Sequence, residues 1–109
     1  MRDEKVLQML EETGYPVTYH HWGEGEEPNR PYIVYLYPRT NNFSADGAVY
    51  QDINHLDIEL YTECKEPETE RKVETILKAH GLYYEKTETY IESEKMYEVL
   101  YETEVLINE

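Results

Sequence analysis

The chain has 109 residues with 24 acidic and 10 basic side chains, which give a formal net charge of −14 at pH 7. This length predicts a single domain, residues 1–109, with one modest core. Because phosphate groups and anionic membranes are bound by clustered Lys and Arg, the charge excludes a general DNA- or RNA-binding surface and disfavours a membrane surface.

The first predicted helix covers residues 3–13. Val6, Leu7 and Leu10 form one apolar stripe at helical spacing, and Gly14 fits the position just after the helix, where a left-handed backbone is common. The stripe predicts that the helix packs one side against the rest of the domain.

Two strands are predicted next, at residues 16–22 and 31–37, with a polar loop at 23–30 between them. The second strand contains the run Tyr-Ile-Val-Tyr-Leu-Tyr, which is apolar at successive positions. Apolar residues on both faces are typical of a buried strand, so we expect this strand to lie inside the sheet.

The segment 39–47 is predicted to be a polar loop, because Asn41 and Asn42 favour turns. Phe43 stands alone as a large apolar residue on this loop. Such a residue either folds back onto the core or is offered to a partner. The segment supplies the first candidates for partner contact, which are Arg39, Asn41, Asn42 and Phe43.

The third predicted strand covers residues 49–62, and its side chains alternate between two faces. One face carries Leu56, Ile58 and Leu60, and the positions between them are polar or tyrosine. This period of two predicts one buried face and one wetter face.

The second predicted helix covers residues 67–80. Pro67 fits its first turn, Val73 and Leu77 lie one turn apart on its apolar side, and Gly81 fits the position just after its end.

A long β-hairpin is predicted from residues 82–91 and 96–107. Tyr101 in its second strand is a further candidate for partner contact, because the chain has 12 tyrosines and tyrosine is enriched at subunit interfaces. The other face of this strand is acidic, but Leu100 and Leu106 interrupt it. The interruption indicates that this face is partly covered, and another subunit is one candidate cover.

The sum of these elements is the order α-β-β-β-α-β-β. It predicts a single α+β domain in which two helices pack on one face of an antiparallel or mixed sheet.

Catalytic and metal-binding motifs are missing from the sequence. His20 and His21 are adjacent on a predicted strand, so their side chains are expected to point to opposite faces and not to chelate one metal. Cys64 is the only cysteine, which leaves no disulfide and no cysteine-based zinc motif. The abundant carboxylates show no acid-base pairing pattern. We therefore expect a non-enzyme with no catalytic, cofactor-binding or metal-binding residues.

The order of elements resembles that of the small tail-terminator or tail-completion (head-tail joining) proteins of long-tailed bacteriophages and prophages. The resemblance is carried by the run Val-Tyr-Gln-Asp at residues 49–52, which opens the third strand, and by its continuation at 56–62. The helix at 67–81 and the closing hairpin at 90–107 complete it. It covers nearly the whole chain and is architectural.

The resemblance implies a homo-oligomeric ring, expected to be a hexamer, that caps the tail tube. Its partners would be the tail tube protein and the head connector protein, and it would occupy the host cytoplasm during assembly and the virion afterwards. An acidic ring would also repel the DNA that passes through it.

Other functions stay open at this stage. An acidic protein-interaction module, such as an inhibitor that imitates DNA, would need carboxylates gathered on one face. A small enzyme or metal-dependent regulator would need a site that no motif reveals, and a binding domain for some other protein would need no motif at all.

Overall fold

A computed structural model describes residues 3–45 and 48–107, and the side chains of residues 4–39 and 53–106. It contains two helices and six strands. The helices are α1 (Asp3–Glu11) and α2 (Pro67–Ala79). The strands are β1 (Val17–Tyr19), β2 (Tyr32–Leu36), β3 (Thr40–Ala45), β4 (Ala48–Thr62), β5 (Tyr84–Ile91) and β6 (Met96–Ile107).

The strands form one mixed sheet in the order β1-β2-β4-β6-β5, with β3 beside the first part of β4. Only the β1–β2 pair is parallel within the described residues. The predicted α+β class and the predicted order of elements are confirmed, with β3 as an added strand. The interior position of β2, four of whose five residues are buried, is also confirmed.

The segment 39–47 was predicted to be a loop, and this prediction is wrong for Thr40–Ala45. This stretch pairs with β4 from Thr40 opposite Asn54 to Ala45 opposite Ala48. The backbone groups along the early part of β4 need partners, and pairing with them overrides the turn preference of Asn41 and Asn42.

The helices cover one face of the sheet, as predicted. Leu56, Ile58 and Leu60 are fully buried on β4, so the predicted alternation of this strand is confirmed. Val73 and Leu77 of α2 are fully buried against the same face. The helix-covered face thus holds the hydrophobic core, and within residues 3–45 and 48–107 no helix lies on the opposite face of the sheet.

The ends of two elements fall short of the predicted bounds. The first helix ends at Glu11, where the Thr13 hydroxyl donates to the Leu10 carbonyl at 2.7 Å and Gly14 takes a φ of +84°. The first strand ends at Tyr19 because His20 has a φ of +69°, which turns the chain out of the strand.

Candidate interaction surface

The open face of the sheet gathers carboxylates in register. Asp57 on β4 lies directly opposite Glu102 on β6, and Glu102 lies directly opposite Glu85 on β5. Four residues before Glu102 on β6, Glu98 lies opposite Tyr61 of β4. Glu59 lies two residues before Tyr61 on the same strand. We call these five carboxylates the acidic face. Like charges directly opposite each other destabilise a sheet, so this arrangement costs the isolated chain free energy.

Two members of the acidic face share one tyrosine. The Tyr61 hydroxyl lies 3.0 Å from Oε1 of Glu59 and 2.7 Å from Oε2 of Glu98. One hydroxyl proton serves only one of these contacts at a time. Burial raises the pKa of Glu59, the hydrogen bond from Tyr61 lowers it, and the charges of Glu98 and Asp57 raise it. Glu59 therefore favours an added proton or a nearby cation.

Asp57 is also partly buried beside another carboxylate, but it has two basic side chains nearby. Burial and then the charge of Glu102 raise the pKa of this carboxyl, while His55 and Arg39 act to lower it. Arg39 is exposed and lines a cleft of about 480 Å³ beside the acidic face. His55, whose Nδ1 lies 3.7 Å from Oε1 of Glu104, lies in the same cleft.

Apolar side chains lie among these carboxylates. Leu100 is half-buried between Glu59 and Thr87 in the register, and Val34 is buried on the other side of Glu59. The predicted interruption of the acidic side of β6 by leucine is thus seen at Leu100. Leu106, farther along β6, leaves 44% of its surface exposed.

One end of the open face is covered by the loop after β1. Trp22 packs edge-on against Tyr32, with ring centroids 5.7 Å apart, and Tyr32 is only 3% exposed. The Tyr32 hydroxyl donates to Glu27 of the same loop. Burial, followed by the hydrogen bond and charge of Glu27, raises the pKa of Tyr32 to about 12.

A contrasting carboxylate lies on the helix-covered side. The Glu70 side chain is 3% exposed, and its oxygens lie 2.8 Å from Lys65 Nζ and 2.7 Å from Lys86 Nζ. Burial acts to raise the pKa of Glu70, but the hydrogen bonds and charges of the two lysines lower it overall. Lys86 also reaches Glu74 at 2.7 Å, which completes a local network of paired charges.

Tyr101 belongs to this network and not to the surface, so its prediction as a partner contact is wrong. The side chain is fully buried between the sheet and α2, and its hydroxyl donates to Glu74 at 2.8 Å. Burial, followed by the hydrogen bond to Glu74, raises the pKa of Tyr101. A tyrosine can satisfy its hydroxyl inside the core as well as at an interface, and here α2 supplies the acceptor.

The other predicted partner contacts lie together along the chain. Arg39 is exposed and directly precedes β3, whose backbone includes Asn41, Asn42 and Phe43. The side chains of these three residues lie outside the described part of the chain, so their partner contact stays a prediction. Arg39 lies in the same cleft as Tyr83, which is 95% exposed.

The two adjacent histidines differ from their prediction. His20 and His21 do not point to opposite sheet faces, because the positive φ of His20 ends the strand before them. Their Nδ1 atoms lie 3.0 Å apart, as in a hydrogen bond between one protonated and one free nitrogen. Among the described residues, no three His, Cys, Asp or Glu side chains form a group that could hold a metal ion.

Sequence reasoning did not find the acidic face as a unit. The alternation along β4 and β6 marked each strand's polar face, but only the pairing register places Asp57, Glu102 and Glu85 in one row. It also missed the Glu70 network, whose lysines lie 5 residues before and 16 residues after Glu70 in the chain.

No protein-family model and no curated protein matches the sequence. In the part of the chain that the structure describes, no helix is both long and apolar enough to cross a membrane. Among solved structures, the chain is similar to a chain in the virion of a native gene transfer agent particle. The TM-score is 0.64 at 12% sequence identity, over 94% of this chain and 90% of the other. A likeness at this identity shows that the two chains share a fold.

Proposed function

We propose that this chain is a structural protein of a phage-like particle, and that it forms the ring that ends the tail tube and meets the head connector. The observation that carries the proposal is the fold shared with a chain of a gene transfer agent virion over at least 90% of both chains. Coverage of this extent means that the whole architecture is shared and not only a common β-hairpin. The step from fold to role is an analogy, and an assembly experiment must test it.

The proposed mechanism is assembly and not catalysis. Subunits associate head to tail into a closed ring, and the ring stops tube growth by covering the last exposed layer of tube protein. With a net charge of −14, such a ring is anionic, which favours passage of DNA without adhesion.

The hairpin of β3 and β4 is the element best shaped to reach the tube. The last residue of β6 that pairs with β4 lies opposite Asp52, so residues 48–51 pair only with β3 among the described residues. These strands continue past the body of the sheet as a two-stranded ribbon. We propose that this ribbon, with Phe43 on it and Arg39 at its base, contacts the tube protein.

The first test is sedimentation velocity of the pure protein over a wide concentration range, followed by electron microscopy of tail tubes mixed with it. We expect a discrete closed oligomer near the proposed hexamer, and density at one end of each tube. A protein that is monomeric at every concentration and does not bind tube ends would contradict the proposal.

A variant of Phe43 tests the role of the ribbon. We expect Phe43→Ala to keep the melting temperature and the oligomer of the parent while binding tube ends more weakly. A melting temperature well below that of the parent would instead show that Phe43 is a core residue.

The alternative function is an acidic inhibitor that imitates DNA. The row formed by Asp57, Glu102 and Glu85 favours it, because it gathers negative charge on one face. Salt-sensitive binding to a basic DNA-binding enzyme, with loss of that enzyme's activity, would support this function over the ring.

A further inference from the structure

We infer that the acidic face of one copy receives the outer side of helix α2 of a second copy. The inference rests on the proposed ring and names the two surfaces that join its subunits. It commits to another copy of this chain as the occupant, because the chain itself carries the complementary charge on the opposite side of the sheet.

The outer side of α2 is mainly basic, since it exposes three cations and one carboxylate, Glu68. Val73 and Leu77 turn inward and are fully buried, whereas Arg71, Lys72 and Lys78 are exposed. A protein with 10 basic residues thus places three of them within about two turns of one helix. Because α2 packs on the covered face of the sheet, these charges and the acidic face point in opposite directions.

Several other cations of the fold already have partners within the chain. Lys65 and Lys86 form ion pairs with Glu70 at 2.8 and 2.7 Å, and Arg30 lies 3.8 Å from Glu63. Lys72 lies 5.5 Å from the ring centroid of Tyr15. Arg71 and Lys78 are therefore the charges of α2 that are best placed to meet another subunit.

The spacings of the two surfaces agree. Arg71 and Lys78 are seven residues apart, which is about 10.5 Å along a helix. Asp57 and Glu85 are separated by two strand spacings, which is about 9.6 Å. A helix lying across β4, β6 and β5 would set its two cations over the two ends of the acidic row.

The same contact would offset two unfavourable free-energy contributions in the isolated chain. Like charges lie directly opposite each other in the row, and the carboxylates of Asp57 and Glu59 are partly withdrawn from water. Cations from a neighbouring copy offset both costs, and the helix would also cover Leu100. Two unlike surfaces on opposite sides of a subunit make a head-to-tail contact, which closes into a ring when the rotation per subunit permits.

Charge reversal tests the contact. The helix variant is Arg71→Glu with Lys78→Glu, and the sheet variant is Glu85→Lys with Glu102→Lys, all four positions being exposed. We expect each variant to sediment as a monomer at concentrations where the parent forms its closed oligomer. We expect the chain with all four changes to recover that oligomer, because both surfaces are then reversed together.

Matched controls carry the same change of charge elsewhere. Lys5→Glu with Lys95→Glu controls the helix variant, and Glu11→Lys with Glu24→Lys controls the sheet variant; all four positions are exposed and lie off both surfaces. The controls should sediment as the parent does, and circular dichroism should show every variant folded.

The outcomes separate the two proposals. If the helix and sheet variants still form the parental oligomer, or if the fourfold variant fails to recover it while folded, this contact is wrong and the ring stands. If the parent itself neither oligomerises nor binds tube ends, both proposals fail. Weakening of the parental oligomer by added salt would further support an electrostatic contact.

Discussion

The two faces of the sheet shift the pKa values of their carboxylates in opposite directions. On the covered face, Glu70 is buried but held by Lys65 and Lys86, and its pKa is lowered. On the open face, Asp57 and Glu59 are half-buried, and burial followed by the charges of neighbouring carboxylates raises their pKa values. Two lysines thus neutralise the buried carboxylate on the covered face. The carboxylates of the open face form the surface that we propose a neighbouring copy covers.

The largest expected effect comes from the core itself. Leu77→Ala, which truncates a fully buried side chain of α2, should lower the free energy of unfolding by about 2–5 kcal/mol. Leu100→Ala on the open face should cost clearly less, because that side chain is half-buried. Urea unfolding of both variants measures the difference. A loss under about 1 kcal/mol for Leu77→Ala would show that the apolar side of α2 is misassigned.

The next largest effect is expected from Glu70, the carboxylate paired with two lysines. Glu70→Gln keeps the shape but removes the charge that two lysines contact, and should lower the free energy of unfolding by about 2 kcal/mol. Asp57→Asn, the matched change on the open face, should leave the monomer equally stable or raise its stability by up to about 1 kcal/mol, because it removes a like-charge contact. Equal losses in the two variants would contradict the difference between the faces.

A smaller effect is expected from the buried tyrosine. Tyr101→Phe removes the hydroxyl that donates to Glu74 while keeping the ring in the core, so stability should fall by about 1 kcal/mol. Thermal unfolding checks this value. No measurable loss of stability would show that the hydroxyl does not donate to Glu74 in solution.

The pH dependence of stability should differ in sign between the faces. The raised pKa of Glu59 gives stability that is fully present below its unfolded value of 4.5 and is lost as the pH rises through the folded pKa. The lowered pKa of Glu70 gives stability that is present above 4.5 and is lost as the pH falls through the folded pKa.

Two variants isolate these contributions. Relative to the parent, Glu59→Gln should gain less stability as the pH falls from neutral toward 4.5, and Glu70→Gln should lose less stability as the pH falls below 4.5. Urea unfolding at a series of pH values measures both differences. Parallel curves for parent and variants would show that neither group titrates as its surroundings imply.

Features that depend on residues close together in the chain were predicted correctly from the sequence, whereas features that depend on distant residues were not. The alternation of Leu56, Ile58 and Leu60 is local, and it located both β4 and its buried face. The pairing of β3 with β4 depends on backbone groups that no local pattern reveals, so the turn preference of Asn41 and Asn42 gave a loop instead. Partner contacts were the hardest to predict, because the acceptor for the Tyr101 hydroxyl lies 27 residues earlier in the chain.

Two outer strands of the sheet, β1 and β5, have a consequence for aggregation, while β3 forms a further edge beside β4. β1 offers only three residues, and β5 carries Glu85, Lys86 and Glu88 along its exposed length. Short and charged outer strands are poor templates for the addition of another chain by backbone pairing, which has no natural end and leads to fibrils. The edges formed by β1 and β5 therefore disfavour open-ended backbone pairing and favour finite association.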